Sequence, residues 1–513
     1  STPVEVYGIS VVEGNTINIT STGGLTVGQG GVTNANDGSI SIDNTPVGAG
    51  YFRIDPATDN KLTSKVKVNY STRAYDSGSV NNEIWQYMGA PGENMEANMA
   101  GATIYYWNET TGWQRHSGKM TPFAGYAFTQ NKNTEAKYEV NVTPIFDDQQ
   151  IDFTCTTSGS GMRGDNLFVN SYLAPIDITK IDEEDVVDDN DQLTKTFFIY
   201  NSGSWNQWKE GASDITAAGY DQSSAGHYYS IPFYSAKYLN PEVSQVVIPS
   251  MQGVYVYSQG AASLKLNYNK HVYKAETKNK LTSPMRAPQR ETDAAFRRVC
   301  IQVVSENSGA DRMYVIQRSN TTSGYDNGYD GDNIIAKGQA NIYTTEHFGK
   351  MEVSCSNDID SMYIGFTAGE DSEYMLNINA VVGEDLYLYD LENNSSFQLL
   401  DGEQYMFYAA PNSVNDKRFM LVVVRDGADE EQGGVTTEVD NVNMQQELWI
   451  NDKMVYINHT PLNSQLAIYT ISGMCVVAPY SINHTPCMID LSYLPMGVYV
   501  IRLNNQAYKF VCK

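Results

Sequence analysis

The sequence predicts an all-β protein with several domains, and three observations support this prediction. Short alternating runs such as Lys65-Val-Lys-Val-Asn-Tyr70, Tyr138-Glu-Val-Asn-Val-Thr143 and Ser263-Leu-Lys-Leu-Asn-Tyr268 recur between clusters of turn residues. Such runs are typical of antiparallel strands with one solvated face. No stretch of the sequence has long helical periodicity, and Tyr is abundant, with 36 residues. At roughly 150 residues per domain, the chain has room for about three or four domains that each bury a core.

The first predicted domain, residues 1–282, is an N-terminal β region that contains a jelly-roll-like unit. Its first 50 residues include short polar strands separated by Gly and Asn, at Thr16–Thr20, Gly24–Val27 and Ser39–Asp43. These strands have little to bury on their own. We therefore expect them to stack as a cap on the larger sheet that follows.

The rest of this region is predicted to be an internal duplication. Each half opens with a strand that an Ala-Pro pair follows. An aromatic strand then reaches an Asn-containing hairpin, and a Trp begins the return strand of that hairpin. Finally, a Pro precedes a strand that begins with Gly and carries aromatic residues, here called the Gly-aromatic strand. The matching segments are 85–91, 104–113 and 122–128 in the first half and 167–175, 197–205 and 249–256 in the second. Two such halves facing each other would form a jelly roll or sandwich. The alternative is coincidence, because aromatic hairpins are common.

Two stretches without alternation predict the remaining boundaries. Ser283–Thr292 contains two prolines and three charges, and Asp426–Gly434 is acidic and rich in glycine. Neither composition can bury itself in a core. They delimit a second β-sandwich module, residues 294–426, and a last unit, residues 442–513.

The charge balance limits the classes of partner. The formal net charge is -26, from 60 acidic and 34 basic residues, so the surface repels nucleic acid and anionic lipid. No apolar run approaches the roughly 20 residues of a membrane span. The chain begins with Ser1 and shows no apolar signal-peptide stretch. This start fits a processed mature form and fits an arbitrary boundary equally well.

Six cysteines are scattered along the chain without Cys-x-x-Cys spacing, at positions 155, 300, 355, 475, 487 and 512. This spacing argues against zinc and thioredoxin-like chemistry. The favoured interpretation is that the cysteines are small buried apolar residues. The alternative, in an oxidising compartment, is one or two disulfides, such as Cys300–Cys355 or Cys475–Cys487.

The last unit is a succession of short strands that ends in a compact hairpin. It contains a strand and turn at Ile468-Tyr…Ser472-Gly473, then Leu494-Pro495-x-Gly497-Val-Tyr499, and finally Lys509-Phe-Val. Over residues 442–513 this succession resembles the C-terminal sorting domain of proteins exported by the type IX secretion system of Bacteroidetes. The resemblance rests on the combination, since no single piece would suffice.

The resemblance implies a small immunoglobulin-like sandwich that the outer-membrane export and attachment machinery of the type IX system recognises. It also implies a secreted or bacterial cell-surface location and cleavage by a sortase-like peptidase in the tether at 426–441. The cysteines of this unit are not part of the family's usual pattern. Segments further upstream, such as Asp311–Val315 and Leu386–Asp390, resemble β modules of surface proteins from the same phylum, which implies a location rather than an activity.

The closing hairpin also allows a prediction of strand register. If Asn505 and Gln506 form the turn, Leu503 faces Tyr508 and the bases Arg502 and Lys509 face each other. Two directly opposed bases cost stability unless an anionic group lies nearby. We expect either two solvated side chains that splay apart or a basic recognition spot for the export machinery.

One loop is a candidate calcium site. Asp326, Asp330 and Asp332 lie in the glycine-containing stretch Asp326–Asn333, and oxygen ligands at this density suit Ca²⁺. The spacing is not that of an EF-hand, and Asp, Asn and Gly are also ordinary turn residues. No other cofactor is expected.

Signs of catalysis are weak. The six histidines lack metal-ligand spacing, and the sequence contains neither a Gly-x-Ser-x-Gly elbow nor a P-loop. Pairs of carboxylates for glycoside hydrolysis stay open, because sequence spacing does not give separation in space. Aromatic residues such as Trp107, Trp113, Trp205 and Trp208 either stack on sugars or pack across strands.

Three functions therefore compete. The favoured one is a non-enzymatic structural or adhesive surface protein, exported and anchored through its last domain. The second is a self-assembling subunit of a surface layer or filament, in which edge strands pair between copies. The third is a carbohydrate-binding or carbohydrate-cleaving surface protein.

Overall fold

The computed structural model of the protein describes most of the chain. The described residues are 3–45, 48–72, 85–130, 136–157, 164–202, 225–240, 246–274, 296–306, 308–335, 338–345, 349–383, 385–393, 395–424, 448–451, 454–457, 464–470, 474–482, 487–491, 493–495, 497–503 and 506–512. The prediction of an all-β protein is confirmed. Within these ranges the helices are short, namely α1 (Tyr268–His271) and 3-10 turns at Ile178–Lys180, Glu183–Asp185 and Ala236–Tyr238.

The N-terminal region contains the first twenty-one strands. They are β1 (Val4–Ser10), β2 (Ile17–Ile19), β3 (Gly24–Thr33), β4 (Ile40–Thr45), β5 (Gly48–Ala49), β6 (Tyr51–Ile54), β7 (Val66–Thr72), β8 (Gln86–Met88), β9 (Ala102–Asn108), β10 (Gly112–Arg115), β11 (Tyr126–Gln130), β12 (Ala136–Val142), β13 (Gln150–Cys155), β14 (Asp165–Val169), β15 (Ile176–Asp177), β16 (Val186–Val187), β17 (Thr196–Ser202), β18 (Ala225–Pro232), β19 (Val247–Ile248), β20 (Gly253–Tyr257) and β21 (Ala262–Asn267).

Six of the first seven strands wind as a short parallel solenoid, and β5 pairs with β4 as an antiparallel addition. β1, β3 and β6 pair in parallel in one sheet, and β2, β4 and β7 pair in parallel in another. The chain alternates between these two sheets, so the expected stack of strands is present. The alternating runs for which antiparallel pairing was predicted do pair in this way, β7 with β12 and β21 with β13. On its other side β7 pairs in parallel with β4, because alternation of polar and apolar residues is compatible with both pairings.

Two four-stranded antiparallel sheets hold the segments that the sequence pairs as repeats. The first sheet has the order β10-β9-β11-β8, and the second has the order β18-β17-β20-β14. Each sheet thus runs from the return strand of the hairpin, through its first strand and the Gly-aromatic strand, to the opening strand of the repeat. All the pairings within both sheets are antiparallel.

The two sheets contact each other reciprocally. Val169 N donates to Phe123 O at 3.2 Å, and Gly89 N donates to Met251 O at 3.1 Å. Phe123 and Met251 both have positive φ, 62° and 71°, and each lies two residues before the glycine of its Gly-aromatic strand. Equivalent residues therefore make the same contact in both directions, as they do across a two-fold axis. We propose an internal duplication as the origin of this relation.

The N-terminal region has one continuous core. It joins solenoid residues such as Phe52 to residues of the four-stranded sheets such as Phe128 and Val254. A three-stranded sheet, β13-β21-β16, and the pair β15-β19 complete the region.

The second unit contains strands β22 to β32. They are β22 (Arg297–Val304), β23 (Ala310–Gln317), β24 (Gly331–Asp332), β25 (Asn341–Thr344), β26 (Met351–Ser356), β27 (Met362–Thr367), β28 (Glu373–Val382), β29 (Leu386–Asp390), β30 (Ser395–Gln398), β31 (Gln404–Tyr408) and β32 (Val414–Val423).

These strands form one curled sheet around a core of their own. Its order is β30-β29-β32-β27-β25-β26-β23-β22-β28-β31, with β24 added to β26. The two end strands meet through side chains, because the Phe397 ring on β30 stacks on the Tyr405 ring on β31 at 4.7 Å. The Ser395 and Tyr405 hydroxyls lie 2.9 Å apart beside this stack. We call this closure of the sheet the seam.

The second unit packs against the N-terminal region. Cys300, Tyr314, Ile316, Val353, Cys355 and Ala380 extend the core of the N-terminal region rather than that of the second unit. Tyr234 N donates to Gly328 O at 2.8 Å, and Ser230 N donates to the Glu352 carboxylate at 2.6 Å. The linker predicted at 283–292 lies outside the described residues, but the units on either side of it share buried contacts.

The cysteines favour the apolar interpretation. Cys155, Cys300 and Cys355 are free and buried, and Cys475 is free and exposed. The two disulfides considered above, Cys300–Cys355 and Cys475–Cys487, were therefore wrong. Burial raises the pKa of the Cys300 thiol to about 11 and that of Cys155 to about 12, so these thiols are inert near neutral pH.

Within its described residues the last unit is a sandwich of seven strands with its own core. Its strands are β33 (Leu448–Asn451), β34 (Met454–Ile457), β35 (Ser464–Thr470), β36 (Cys475–Ile482), β37 (Cys487–Asp490), β38 (Gly497–Leu503) and β39 (Gln506–Cys512). The sheets β33-β34-β37 and β36-β35-β38-β39 enclose residues such as Val455, Leu466 and Ile501. This arrangement is that of an immunoglobulin-like domain, as predicted. The tether at 426–441 lies outside the described residues.

A search of the described helices finds none that is both long enough and apolar enough to span a membrane.

Candidate functional site

Aromatic side chains cover one side of the two four-stranded sheets. Alternate residues of a strand point to the same side, so Tyr105 and Trp107 of β9 share a face, and Trp113 of β10 lies directly opposite Trp107. We call the following set the aromatic face: Trp85, Tyr87, Tyr105, Trp107, Trp113, Tyr200, Tyr228 and Tyr255. It spans residues from both repeats.

Tyr87 lies at the centre of this face. Its ring centroid is 5.9 Å from that of Trp113, with the two planes parallel to within 5°. The centroids of Tyr255 and Tyr200 lie 5.0 Å and 5.3 Å away, and the Tyr87 hydroxyl is 3.1 Å from the Tyr228 hydroxyl. Such spacings are those of favourable aromatic pairs, so the rings hold one another in place.

A glycine allows the two sheets to meet under Tyr87. Met88 and Gln252 form a β-bridge between β8 and the start of β20. A Cβ on the neighbouring Gly253 would come within 2.7 Å of the Tyr87 Cβ, which is too close for any side chain. Gly253 is therefore required for the continuity of the aromatic face.

The aromatic face lies outside the hydrophobic cores. The opposite side of the first sheet, with Ile104, Tyr126 and Phe128, belongs to the core of the N-terminal region, whereas none of the eight aromatic residues does. Trp113 is 38% exposed, and Trp107 beside it is 9% exposed. The face is thus a half-buried surface that the fold does not use as its interior.

Polar groups lie at the edge of the aromatic face. Trp107 Nε1 donates to Asp165 O at 2.7 Å, and Gly164 N donates to the Glu109 carboxylate at 2.8 Å. Burial and the nearby charge of Glu109 raise the pKa of the Asp165 carboxyl. Arg115 is exposed two residues after Trp113 on β10. The edge therefore offers hydrogen-bond acceptors and a guanidinium donor.

Two tyrosines of the face, Tyr228 and Tyr255, keep their protons. Burial, followed by the electrostatic interaction with the neighbouring Tyr87, raises the pKa of both Tyr228 and Tyr255 above the ordinary value of a tyrosine. Their hydroxyls are neutral near pH 7 and can donate as well as accept hydrogen bonds.

Sequence reasoning identified part of this surface. Trp107 and Trp113 lie in it as cross-strand partners, while Trp205 and Trp208 lie outside the described residues. The tyrosines were missed. The alternating aromatics at 85 and 87 and at 105 and 107 were the available signal, but alternation does not say which side of a strand faces the core.

The acidic loop has a structural role in the described residues. Asp330 accepts from Cys355 N at 2.7 Å and from Asp326 N at 2.6 Å, and Asp326 accepts from Thr322 N at 2.6 Å. Asp332 is in β24 on the edge of β26. Burial raises the pKa of Asp330 to about 7.

Within the part of the chain that the structure describes, no group of three or more His, Cys, Asp or Glu residues is placed to hold a metal. The bonds of Asp326 and Asp330 close the loop that carries Gly328 and Asn327, and Asn327 accepts from Lys195 N of the N-terminal region at 2.9 Å. This loop therefore serves the contact between units. Calcium at Asp326, Asp330 and Asp332 stays a prediction.

The Leu-Pro-x-Gly-Val-Tyr motif of the last unit has a structural explanation. Tyr499 and Leu494 are buried in its core, and the Tyr499 hydroxyl donates to Pro495 O at 2.8 Å. A tyrosine near the start of this strand that bonds back to the upstream backbone is a recurrent corner of immunoglobulin-like domains. These residues stabilise the sandwich, whatever else they do.

The predicted register of the closing hairpin was wrong by two residues. Leu503 pairs with Gln506, Arg502 with Ala507, and Val500 with Lys509, so Arg502 and Lys509 are not directly opposed. The like-charge cost considered above is therefore smaller, and Arg502 is exposed. Of the other motif residues, Gly497 begins β38, and Gly473 lies outside the described residues.

Comparison with known proteins identifies the family. Residues 1–423 match DUF8693, a domain of unknown function. The chain belongs to this family. The matched range includes both the N-terminal region and the second unit, which share buried contacts, and it ends before the last unit.

The chain is also similar to a named protein. It is 25% identical over 504 residues to the minor fimbrium subunit Mfa5 of Porphyromonas gingivalis, covering 92% of this chain and 38% of that protein. The chain thus spans well under half the length of this relative. No solved structure matches. A fimbrium is a surface appendage, so the predicted secreted or cell-surface location is confirmed at this level.

Proposed function

We propose that the protein is a non-enzymatic structural or adhesive component of the bacterial cell surface, exported and anchored through residues 442–513. The observation that carries this proposal is the similarity to a fimbrium subunit along 92% of the chain. The all-β units with fully buried cores suit a structural role, because such cores resist unfolding outside the cell.

The proposed role of the last unit rests on its separateness. It has its own core, distinct from those of the other units, and the family match ends at residue 423. Together with the resemblance to type IX sorting domains, this supports an address unit recognised by the export machinery, with the tether at 426–441 as the cleavage region.

The test is to express the chain, with and without residues 442–513, in a Bacteroidetes host that has type IX secretion. Labelling of intact cells should find the full chain at the surface and the shortened chain inside the envelope. Purified shortened chain that unfolds like the same units in the full chain would show that the deletion did not destroy the passenger. Equal surface display of both forms would refute the proposal.

A narrower experiment concerns the basic residues of the closing hairpin. Arg502→Glu with Lys509→Glu should reduce surface display if these residues contact the machinery. Lys61→Glu, a change of an exposed base in the N-terminal region, serves as the control. Unchanged surface display of the hairpin variant would show that Arg502 and Lys509 are not part of the recognition site. It would not contradict recognition of the last unit through other residues.

A second candidate function is self-assembly, which the name of the relative favours. Within the described residues β1 is an edge strand of its sheet, and Val4 and Tyr7 are 53% and 77% exposed. An open, partly apolar strand edge can pair with another copy. Light scattering that rises with concentration, and falls when Val6 is replaced by Pro, would support self-association through β1. A scattering mass that stays at the value of the monomer at all concentrations would contradict self-association.

A further inference from the structure

We infer that the aromatic face binds a neutral glycan chain. This inference rests on the proposed adhesive role, since it names the ligand class that such a protein would hold.

The first argument is that the fold does not need this surface as its interior. The side of the first sheet with Ile104 and Phe128 packs into the core, so the opposite side could carry the polar residues of an ordinary solvated face. It carries Trp and Tyr instead, with Trp113 38% exposed. A contiguous and partly exposed aromatic surface is a mark of a binding site.

The second argument is that the composition of the surface suits sugars. A pyranose ring presents C–H groups on its faces and hydroxyls around its edge, so it stacks on aromatic rings and forms hydrogen bonds in their plane. Tyr87 and Trp113 lie parallel to within 5°, and the hydroxyls of Tyr87 and Tyr228 lie 3.1 Å apart.

The third argument is charge. Arg115 offers donors and Asp165 an acceptor at the edge of the face, which matches the mixed hydrogen bonding of sugar hydroxyls. The carboxylates of Asp165 and Glu109 and a net charge of -26 repel acidic sugars. The ligand class that fits is therefore a neutral hexose chain.

The experiment uses the purified full chain. An array of neutral oligosaccharides, including β-glucan, α-mannan and galactan fragments, is probed beside sialylated and sulfated ones. Hits are titrated by tryptophan fluorescence, to which the face contributes three of the six Trp residues of the chain. Trp113→Ala and Tyr87→Ala should each weaken binding by at least about tenfold, as truncation of a central aromatic contact does. Trp113→Phe should keep part of the affinity. Tyr408→Ala, at an exposed tyrosine of the second unit, is the matched control and should change nothing.

Each outcome is decisive. Binding of a neutral chain that Trp113→Ala weakens and Tyr408→Ala does not supports the inference. Three results overturn it: no binding of any neutral chain at millimolar concentration, binding of acidic glycans alone, or an equal loss of affinity in Trp113→Ala and in Tyr408→Ala. Because binding is measured on purified protein, these results are independent of surface display. If the chain is displayed but binds no glycan, the glycan inference is refuted and the proposed function is not. If the chain binds a glycan but is not exported through its last unit, the proposed function is refuted and the glycan inference is not.

Discussion

The seam of the second unit provides the sharpest test of the structure. Asp390 at the end of β29 and Arg418 on β32 form a salt bridge, with Arg418 Nη2 donating to Asp390 Oδ2 at 2.9 Å, and their side chains are 0% and 2% exposed. Asp390 also accepts from the Tyr405 hydroxyl at 2.9 Å, and Arg418 donates to Tyr408 O at 3.2 Å and to Glu392. Both Tyr residues lie on β31, so the pair connects the strands that close the curled sheet.

Replacing Asp390 by Ala leaves the Arg418 guanidinium buried without its main counter-charge. Breaking a buried pair by removing one partner costs roughly 3–5 kcal/mol, and the lost hydrogen bonds of the carboxylate are part of that cost. Glu392 is half exposed and compensates little. We therefore expect the second unit to lose about 3–5 kcal/mol of its free energy of unfolding. Replacing both residues, Asp390→Ala with Arg418→Met, should cost less than the single change, because no unpaired charge remains.

The assay is urea titration of the full chain followed by hydrogen exchange and mass spectrometry, so that peptides of β29 to β32 report on this unit separately. The matched control is Asp416→Ala. Asp416 pairs with Lys350 at 3.0 Å, but its side chain is 57% exposed, so its loss should cost at most about 1 kcal/mol. The reasoning fails if Asp390→Ala costs no more than Asp416→Ala, or if the double variant is less stable than Asp390→Ala.

The remaining predictions concern the contact between units and the thiols. Gly328→Ala should loosen this contact, because its φ is +91° and the new Cβ would lie 2.6 Å from the Tyr234 ring. The control is Gly402→Ala, which has similar backbone strain (φ +85°) but no atom within 4 Å of the new Cβ. Limited proteolysis between the units should therefore increase only for Gly328→Ala. Burial raises the pKa of Asp330 to about 7, so the stability contributed by its protonated form is complete below about pH 4 and is lost as the pH rises through 7. Asp330→Asn should flatten this part of the curve of unfolding free energy against pH. An unchanged curve would contradict the raised pKa of Asp330. Among the described cysteines, a thiol reagent should modify Cys475 in the folded chain and reach Cys155, Cys300 and Cys355 only after unfolding, and early modification of these three would show that their burial is wrong.

Strand positions and the partners within hairpins could be predicted from the sequence, as for β9 with β10 and β38 with β39, whereas the partners of strands distant in sequence could not. The run Lys65–Tyr70 became β7 and Ser263–Tyr268 became β21 with small changes of their ends. The alternation in β7 is equally compatible with its parallel partner β4 and its antiparallel partner β12. Which neighbour a strand takes is decided by the winding of the solenoid, a property of the whole region that no short window contains.

The register error in the closing hairpin has the same physical cause. Moving the turn by one residue shifts each pairing by two, and a shift of two leaves every side chain on the face where it was. The apolar face that includes Ile501 and Leu503 is therefore identical in both registers. What changes is the partner of each residue, from Lys509 to Ala507 in the case of Arg502 and from Tyr508 to Gln506 in the case of Leu503.

The same limit applies to the acidic loop and to the motif of the last unit. Asp326 and Asp330 have the residue types of a calcium loop, but their oxygens accept backbone N–H groups, and this use of a carboxylate is invisible in a sequence. Likewise Tyr499 was recognised as part of a family pattern, whereas its hydrogen bond to Pro495 O gives the physical reason why such a pattern persists.

The two proposed repeats differ at the aromatic face. Tyr87 and Leu167 occupy equivalent positions, since Tyr87 faces Gly253 of the other repeat and Leu167 faces Gly125. Leu167 is 6% exposed, whereas Tyr87 is half-buried beside Trp113. A packing role alone would be met by Leu at both sites, because the glycine contact is the same. The tyrosine adds a hydroxyl and a flat ring to the aromatic face, which is the difference expected if, as proposed, the two halves arose by duplication and one of them acquired binding.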